Sequence, residues 1–289
     1  MSNRASSSVI RRILVALDAS PRSLAALEAA VEFAARIEAE LTGLFVEDVE
    51  LLRLADSPYA CEILMPSARI VPLERVGMES KLRAHSEGAR IALAAAAERA
   101  RVPWSFRTAR GHVTSEILAA LAEVDLLATA AIGSSRGRHL RMGATALALA
   151  DSAVPVLVLS SHGAPFQGDL LVVCDGTAAS KRRIGIAAEL ARAGSNRITV
   201  LIAAADQRGA ERMQQELEAR LAGSGAEVRY RSFNPKDESG LLRAVKAERA
   251  GVLVLPGRLF VEQLHDLENY LDESETSLLL CDGSGTEEE

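Results

Sequence analysis

The amino-acid sequence predicts an α/β protein built from two doubly wound domains, each with a five-stranded parallel sheet flanked by helices. An apolar run ending in Asp and a small hydroxylated residue occurs twice. It reads Ile-Leu-Val-Ala-Leu-Asp-Ala-Ser at residues 13–20 and Leu-Leu-Val-Val-Cys-Asp-Gly-Thr at residues 170–177. The copies lie 157 positions apart. The register continues without a gap for about thirty residues, which indicates a duplicated domain. In both halves, β-rich runs then alternate with helical segments.

Chain length and apolar content agree with two domains. The 289 residues correspond to about two domains of roughly 150 residues each. An apolar content of 48% is enough to form a core in both. We predict a first domain over residues 1–161, with an insertion at 47–77, and a second, shorter domain over residues 168–283. The linker between them is rich in glycine and proline.

Composition narrows the classes of partner and the compartment. The net charge of −6 and the pI near 5.6 argue against a nucleic-acid backbone as the main partner. No run reaches the roughly 18 apolar residues that a membrane helix needs. Residues 1–8 lack the apolar centre of a signal peptide, so we expect a cytoplasmic protein. Cys61, Cys174 and Cys281 form no C-x-x-C pair, and we interpret them as buried, inert thiols.

The first domain opens with a strand, a tight turn and a helix. Residues 13–17 are apolar throughout, as is typical of a central strand covered by helices on both faces. Ser20 is predicted to cap a helix that begins at Pro21, because its hydroxyl can accept a hydrogen bond from a free N–H. Residues 41–46 give the second strand, which the right-handed crossover rule places beside the first.

Residues 47–77 have no counterpart in the second half. They contain several leucines and three prolines without a clean period, so we predict a short helix followed by an extended loop. Segments of this size often act as lids or interface pieces. A neutral surface insertion is the alternative.

The remaining elements alternate in both halves. In the first domain we predict a long helix at 73–101, a strand at 102–108, a helix at 114–123, a strand at 125–132, a short helix at 144–152 and a fifth strand at 154–160. In the second domain we predict strands at 170–174, 198–203, 227–233, 251–255 and 277–281, with helices at 180–193, 209–222, 239–250 and 261–270.

A ligand site is expected at the carboxyl ends of the strands, between the first and fourth strands, where strand order reverses in such sheets. Asp18 and a glycine and arginine loop at 133–143 are both predicted to lie at this edge. Glycines let backbone N–H groups approach a phosphate, and a helix N-terminus with guanidinium groups adds positive charge. The loop therefore predicts a nucleotide phosphate as its ligand. The alternative is that its arginines are solvated and its glycines only turn the chain.

These motifs together resemble the universal stress protein family. The resemblance rests on Ile-Leu-Val-Ala-Leu-Asp-Ala-Ser, on Glu-Leu-Thr-Gly-Leu-Phe-Val after an Ala-rich helix, and on a glycine loop leading into Val-Pro-Val-Leu-Val-Leu. It implies the strand order 3-2-1-4-5 in each domain, with fifth strands that pair across a dimer. Here it implies an intramolecular pseudo-dimer in which residues 154–159 pair with residues 277–281.

The resemblance also implies a binding site for ATP. Many family members bind ATP through an Asp after strand one, backbone near the end of strand two, and a loop of pattern G-x2-G-x9-G-[S/T]. The matching positions in the first domain are Asp18, Val46 and Gly133. Gly137 and Gly143 are displaced candidates for the second and third loop glycines, and Thr145 would supply the hydroxyl if the helix start shifts by one residue. The loop departs from the pattern, since it spells G-x3-G-x5-G and has Ala144 where Ser or Thr is expected. In the second domain no glycine follows Gly257 before Gly283, so no phosphate loop is predicted and Asp175 is interpreted as a turn cap.

Other polar clusters give weaker evidence for a functional site. Glu47 and Asp48 could hold a cation beside a phosphate, although a solvated strand end is the favoured interpretation. The five histidines show no metal spacing, no G-x-S-x-G elbow is present, and we predict neither catalytic residues nor metal ligands.

Two hypotheses about function remain. One is a regulatory stress-response module that acts through protein contacts of the insertion, with at most vestigial adenine-nucleotide binding, as a pseudo-dimeric monomer or a homodimer. The other is an ATP-binding switch with slow or no hydrolysis.

Overall fold

The computed structural model describes residues 10–18, 20–64, 68–130, 152–160, 168–193, 196–237, 240–257, 274 and 276–281. The predicted loop at 133–143, with Gly133, Gly137 and Gly143, lies outside these residues. So do Thr145 and most of the predicted helices at 144–152 and 261–270. Element labels below number the described helices and strands in chain order.

The first half contains seven described strands and four described helices. They are β1 (Arg12–Leu17), α1 (Pro21–Ile37), β2 (Glu40–Asp48), α2 (Val49–Ala55), β3 (Cys61–Leu64), β4 (Arg69–Pro72), α3 (Arg75–Ala100), β5 (Trp104–Gly111), α4 (Val113–Leu121), β6 (Leu126–Ala130) and β7 (Val156–Leu159).

The second half repeats the alternation of strand and helix. Its described elements are β8 (Leu170–Cys174), α5 (Ala178–Ala193), β9 (Arg197–Ala203), α6 (Gln207–Leu221), β10 (Glu227–Phe233), α7 (Gly240–Glu248), β11 (Val252–Pro256) and β12 (Ser277–Cys281). No helix in the described ranges combines the length and apolar character needed to cross a bilayer.

Local sequence signals set the bounds of α1. The Ser20 side chain accepts a hydrogen bond from the Ser23 N–H at 3.1 Å, and Pro21 occupies the first turn, as predicted. Glu38 ends the helix in the left-handed conformation, with φ of 57°. Leu27 and Val31 lie on the buried face of the helix. Burial of this face against the sheet, at about 25 cal/mol per Å² of apolar surface, stabilises the element.

The two predicted five-stranded sheets join into one ten-stranded sheet. Its strand order is β10-β9-β8-β11-β12-β7-β6-β1-β2-β5, which is 3-2-1-4-5 within each half and confirms the prediction. The fifth strands β7 and β12 pair antiparallel, with Leu279 opposite Leu157. All other described pairs in this sheet are parallel. The predicted pseudo-dimer is therefore held by a continuous backbone ladder.

The two halves share the same strand register. Ile13 in β1 pairs with Leu41 and Leu126, and Leu170 in β8 pairs with Ile198 and Val252. Each central strand is therefore flanked identically, and each is followed directly by an aspartate. The core runs through both halves on both faces of the sheet.

The insertion differs from its prediction. The short helix is present as α2, but the segment predicted as an extended loop contains a β-hairpin formed by β3 and β4. Ile63 lies opposite Ile70, and the ladder continues to a bond from the Leu73 N–H to the Ala60 carbonyl at 2.9 Å. Cross-strand pairs of β-branched residues stabilise such hairpins. The prolines misled the prediction because Pro72 lies at the end of an edge strand, where proline is tolerated.

The cysteines separate into two kinds. Cys174 and Cys281 lie in central strands and are buried, as predicted. Cys61 is exposed because it lies on the solvent side of β3, so the prediction of a buried thiol is wrong for this residue.

Candidate functional site

The carboxyl ends of β1 and β2 form the candidate site of the first half. Leu17 pairs with Phe45 at the end of the β1–β2 ladder, so the next residues, Asp18 and Val46, lie side by side on neighbouring strands. Asp18 is exposed, whereas Val46 is half-buried and packs against the core. The structure thus brings these two predicted site residues together.

The Asp18 turn is held by its own hydrogen bonds. Asp18 Oδ1 accepts from the Ser20 N–H at 2.9 Å. The Asp18 N–H donates to the buried Ser23 Oγ at 3.1 Å, which ties the turn to the first helical turn of α1. This arrangement fixes the carboxylate at the sheet edge, where one oxygen already has a backbone donor.

Glu47 follows Val46 and has a partner from the neighbouring strand. Its Oε2 accepts a hydrogen bond from Arg110 Nε at 2.7 Å, and Arg110 Nη2 forms an ion pair with the same oxygen at 2.6 Å. The hydrogen bond to Glu47, followed by the attraction of its charge, raises the pKa of Arg110. Glu47 is buried, so its interpretation as a solvated strand end is wrong. The physical reason is that β5 extends to Gly111, beyond its predicted end, and places Arg110 opposite Glu47.

Asp48 is also engaged within the chain. It is the N-cap of α2, where its Oδ1 accepts from the Glu50 N–H at 2.9 Å. Glu47 therefore forms an ion pair with Arg110, and Asp48 caps a helix. Among the described side chains no group of three or more His, Cys, Asp or Glu residues is arranged to hold a metal ion.

A network of ion pairs connects this edge to the insertion. Arg110 Nη1 lies 3.8 Å from Glu79 Oε1 on α3, and the same oxygen lies 3.5 Å from Arg75 Nε. Arg75 in turn pairs with Asp56, just after α2. The end of β2 and the insertion are therefore joined through charged side chains on α3.

Comparison of the sequence with known families identifies the family of this chain. The sequence model of the universal stress protein family matches residues 10–160, slightly more than half of the chain. The chain belongs to the universal stress protein family. No protein with a curated functional description matches it at a significant level.

Solved structures of universal stress proteins share the fold. A universal stress protein from Archaeoglobus fulgidus DSM 4304 is 15% identical, with a TM-score of 0.69, and the match covers 94% of this chain and 98% of that one. A candidate universal stress protein from Pseudomonas aeruginosa UCBPP-PA14 is 17% identical, with a TM-score of 0.57 and coverage of 94% and 93%. At these identities the likeness shows the fold alone.

A universal stress protein solved in complex with cAMP is also similar to part of the chain. It is 19% identical with a TM-score of 0.36, and the match covers 53% of this chain and 99% of that one.

The second half of this universal stress protein contains the equivalent turn. Asp175 Oδ1 accepts from the Thr177 N–H at 3.1 Å and from the Thr177 hydroxyl at 2.6 Å. The backbone bond is the counterpart of the one from Ser20 to Asp18. Asp175 therefore caps a turn, in agreement with its interpretation from sequence.

Arg183 was missed by the sequence analysis. It lies on α5 at the position that corresponds to Ala26 on α1, is 1% exposed, and places Nη2 3.5 Å from Asp175 Oδ1. Partial burial raises the pKa of Asp175. Hydrogen bonds from the Thr177 side chain and backbone, the charge of Arg183 and the Ser180 hydroxyl outweigh this and lower the pKa below its ordinary value. An arginine on the apolar face of a helix was the available signal.

Proposed function

We propose that this universal stress protein is a regulatory stress-response module that acts through protein contacts made by the insertion at residues 47–77. One observation carries the proposal. Among the described residues, the large apolar side chains that remain exposed are concentrated in the insertion: Leu51, Leu54, Tyr59, Ile63, Ile70 and Val76. Within the described ranges, two further large apolar residues are exposed outside the insertion, Ile91 and Leu118. Exposed apolar residues that form a cluster often mark a protein interaction site, whereas single exposed apolar residues are common on any protein surface.

The charges of the insertion support a surface built for contact. Arg53 pairs with Glu50 at 2.7 Å, Arg75 pairs with Asp56, and Lys81 on α3 pairs with Glu62 on β3. Exposed ion pairs of this kind contribute about 0–1 kcal/mol each, so they orient the segment more than they stabilise it. The apolar side chains are thus presented by a positioned element.

Nucleotide binding in the first half is at most vestigial under this proposal. The family resemblance assigns Asp18, Val46, Gly133, Gly137, Gly143 and Thr145 to the ATP site, and the last four lie outside the described residues. The spacing of the three glycines is shorter than in the family pattern, and Ala144 stands where the pattern has a hydroxylated residue. Loss of one charge-assisted hydrogen bond costs about 1.5–3 kcal/mol, roughly ten- to a hundredfold in affinity.

The second half is less suited to a nucleotide. In place of Ala26 it has Arg183, a larger and charged side chain that pairs with Asp175. A carboxylate already bound to a guanidinium and to Thr177 gains less from a nucleoside hydroxyl or amine. We therefore propose that this half supplies structure to the pseudo-dimer. We also propose that the two halves are domains bounded at residues 1–161 and 168–283.

The second candidate function is an ATP-binding switch with slow or no hydrolysis. The observation that favours it is the placement of Asp18 beside Val46 at the tips of adjacent strands. A switch of this kind could act on the insertion through Glu47, Arg110 and Glu79.

Thermal denaturation with and without nucleotide separates the two candidates. A ligand at about a hundred times its dissociation constant stabilises a protein by about 2.7 kcal/mol. We expect the unfolding midpoint to stay unchanged within error when AMP, ADP or ATP is added with magnesium at about 5 mM. A saturable shift with ATP that is lost in Asp18→Ala would favour the switch.

Site-specific photo-crosslinking in cells tests the contact surface. A photoreactive phenylalanine analogue replaces Tyr59, or Ile91 as the control, because Ile91 is 55% exposed on α3 outside the insertion. We expect crosslinked products from position 59 and not from position 91. Equal products from the two positions, or none from either, would remove the support for a contact function.

A further inference from the structure

The hairpin presents one uncharged face to solvent. Along β3 and the two residues before it, exposure alternates, with Tyr59, Cys61 and Ile63 exposed and Ala60 and Glu62 partly covered. On β4, the exposed residues Ile70 and Pro72 lie opposite Ile63 and Cys61. We call Tyr59, Cys61, Ile63, Ile70 and Pro72 the outer face. Side chains alternate between the two faces of a strand, so Cys61, Ile63, Ile70 and Pro72 belong to the same side of the hairpin, and the exposed Tyr59 lies in the turn that leads into β3.

The opposite face is directed at the protein. Glu62 pairs with Lys81 on α3, and Val71, which lies opposite Glu62, is half-buried. The hairpin is therefore attached to α3 by one side only. A two-stranded hairpin is marginally stable in water, and it gains stability when a second layer covers its apolar face.

The exposed area matches what a weak dimer needs. Tyr59 is 91% exposed, Ile63 61% and Ile70 66%. With Cys61 and Pro72, the outer face offers on the order of 500 Å² per copy, and two such faces bury about 1,000 Å², near the lower limit for a specific interface.

Charge favours a second copy over a charged partner. None of the five outer-face residues is charged, so neither nucleic acid nor an acidic or basic peptide gains an ion pair there. The whole chain carries −6, so two copies repel weakly at low salt, and this repulsion is screened within about 8 Å at physiological ionic strength.

We propose that two copies of this chain associate with outer face against outer face about a two-fold axis, which rests on the proposed contact function of the insertion. Two identical apolar hairpins are self-complementary, because a two-fold axis places the same patch on both sides of the interface. Packed sheets lie about 10 Å apart, so Ile63 and Ile70 of one copy contact the same residues of the other. The resulting dimer is separate from the β7–β12 seam.

Cys61 gives a direct readout of this association. It lies on the outer face, whereas Cys174 and Cys281 are buried in the folded chain. A small thiol reagent therefore modifies Cys61 selectively in the native protein. For a weak dimer with a dissociation constant on the order of 10 µM, the modification rate should fall about sixfold between roughly 1 and 200 µM protein.

The experiment combines thiol kinetics with sedimentation of the full chain. The test variant is Ile63→Thr with Ile70→Thr, which keeps β-branched residues, and the matched control is Ile91→Thr. We expect the wild type and the control to form dimers that strengthen with salt and protect Cys61. The double variant should stay monomeric, with a Cys61 rate independent of concentration and an unchanged circular dichroism spectrum.

Three outcomes would overturn the proposal. A wild-type chain that is monomeric at 200 µM, an approximate upper limit for weak dimers, rules out the second copy. A monomer whose Cys61 is slow at every concentration indicates that a segment of the same chain covers the face. A dimer that the double variant leaves intact uses another surface. If the chain is monomeric but position 59 crosslinks a different protein, the dimer fails while the proposed function stands; if neither is seen, both fail.

Discussion

Asp18 and Asp175 hold equivalent turns at the ends of equivalent strands, but their surroundings differ. Asp18 is exposed and accepts from the Ser20 N–H. Asp175 accepts two bonds from Thr177 and also lies beside the buried guanidinium of Arg183. A buried cation needs a nearby anion, so the same residue type has a larger structural role in the second half.

Substitution at the two aspartates should therefore be unequal. Asp175→Asn removes an anionic partner from a guanidinium that is 1% exposed, and we expect a loss of about 2–3 kcal/mol in the free energy of unfolding. Asp18→Asn keeps the capping oxygen at an exposed turn and should cost less than about 0.5 kcal/mol. Urea denaturation of both variants measures the difference, and equal losses would show that Arg183 does not depend on Asp175.

The Asp175 effect should depend on pH. Because the folded-state pKa of Asp175 is lowered, its carboxylate stabilises the protein above the unfolded pKa of about 3.9. That contribution is lost as the pH falls through the lowered folded pKa. The stability difference between the wild type and Asp175→Asn should thus be full at pH 7 and shrink below about pH 4. A difference that stays constant down to pH 3, roughly the lower end of this window, would contradict the assignment.

Residue-scale predictions from sequence held where the partner is near in the chain. The Ser20 cap and the Asp175 turn involve bonds across two or three residues, so motif patterns could predict them. Glu47 was misjudged because its partner Arg110 lies 63 positions away on another strand. Only the β2–β5 register brings the two together.

At the scale of elements, the helices contain glycines that no contact requires. A Cβ added at Gly88, in the interior of α3, would meet nothing within 4 Å. Gly88→Ala should therefore stabilise the protein by about 0.5–1 kcal/mol, because alanine reduces the conformational entropy of the unfolded chain.

The matched control for that change is Gly251→Ala. Its Cβ would lie 2.8 Å from the Cα of Gly168, a backbone atom that cannot move aside without shifting β8. We expect a destabilisation of about 1–3 kcal/mol, measured in the same thermal and urea experiments. Stabilisation by both changes would show that the Gly168–Gly251 approach is not required.

The hairpin should be the least stable of the described strand pairs. None of the residues of β3 and β4 whose burial is described is fully buried, whereas Leu170–Cys174 in β8 is buried throughout. Amide hydrogens of β3 and β4 should exchange at least about a hundredfold faster than those of β8 in dilute protein, since local opening costs little there. Mass spectrometry of exchanged peptides measures this, and raising the protein concentration should slow the hairpin alone if the outer face dimerises.

At the scale of the whole molecule, the β7–β12 seam makes one sheet of two halves. All four residues of Val156–Leu159 and all five of Ser277–Cys281 are buried. Each half therefore protects an apolar edge strand of the other. A free edge of this kind is a site for pairing with another chain.

A fragment of residues 1–161 should consequently self-associate through β7. With Ile63→Thr and Ile70→Thr present to silence the outer face, we expect the fragment to sediment as a dimer or larger species. Adding Val158→Lys places a charge in the exposed edge and should restore a monomer. A folded, monomeric fragment without Val158→Lys would show that the seam is not needed to cover β7.

The sequence by itself determined the α/β class, the repeated register, the caps and the pairing of fifth strands, because these follow from hydrophobic period, local hydrogen bonding and the family pattern. The tertiary structure alone decided the partners of Glu47 and Arg183, the hairpin in the insertion and the exposure of Cys61. These depend on which distant strands and helices meet, and side-chain burial at such contacts is not encoded in any short stretch of the chain.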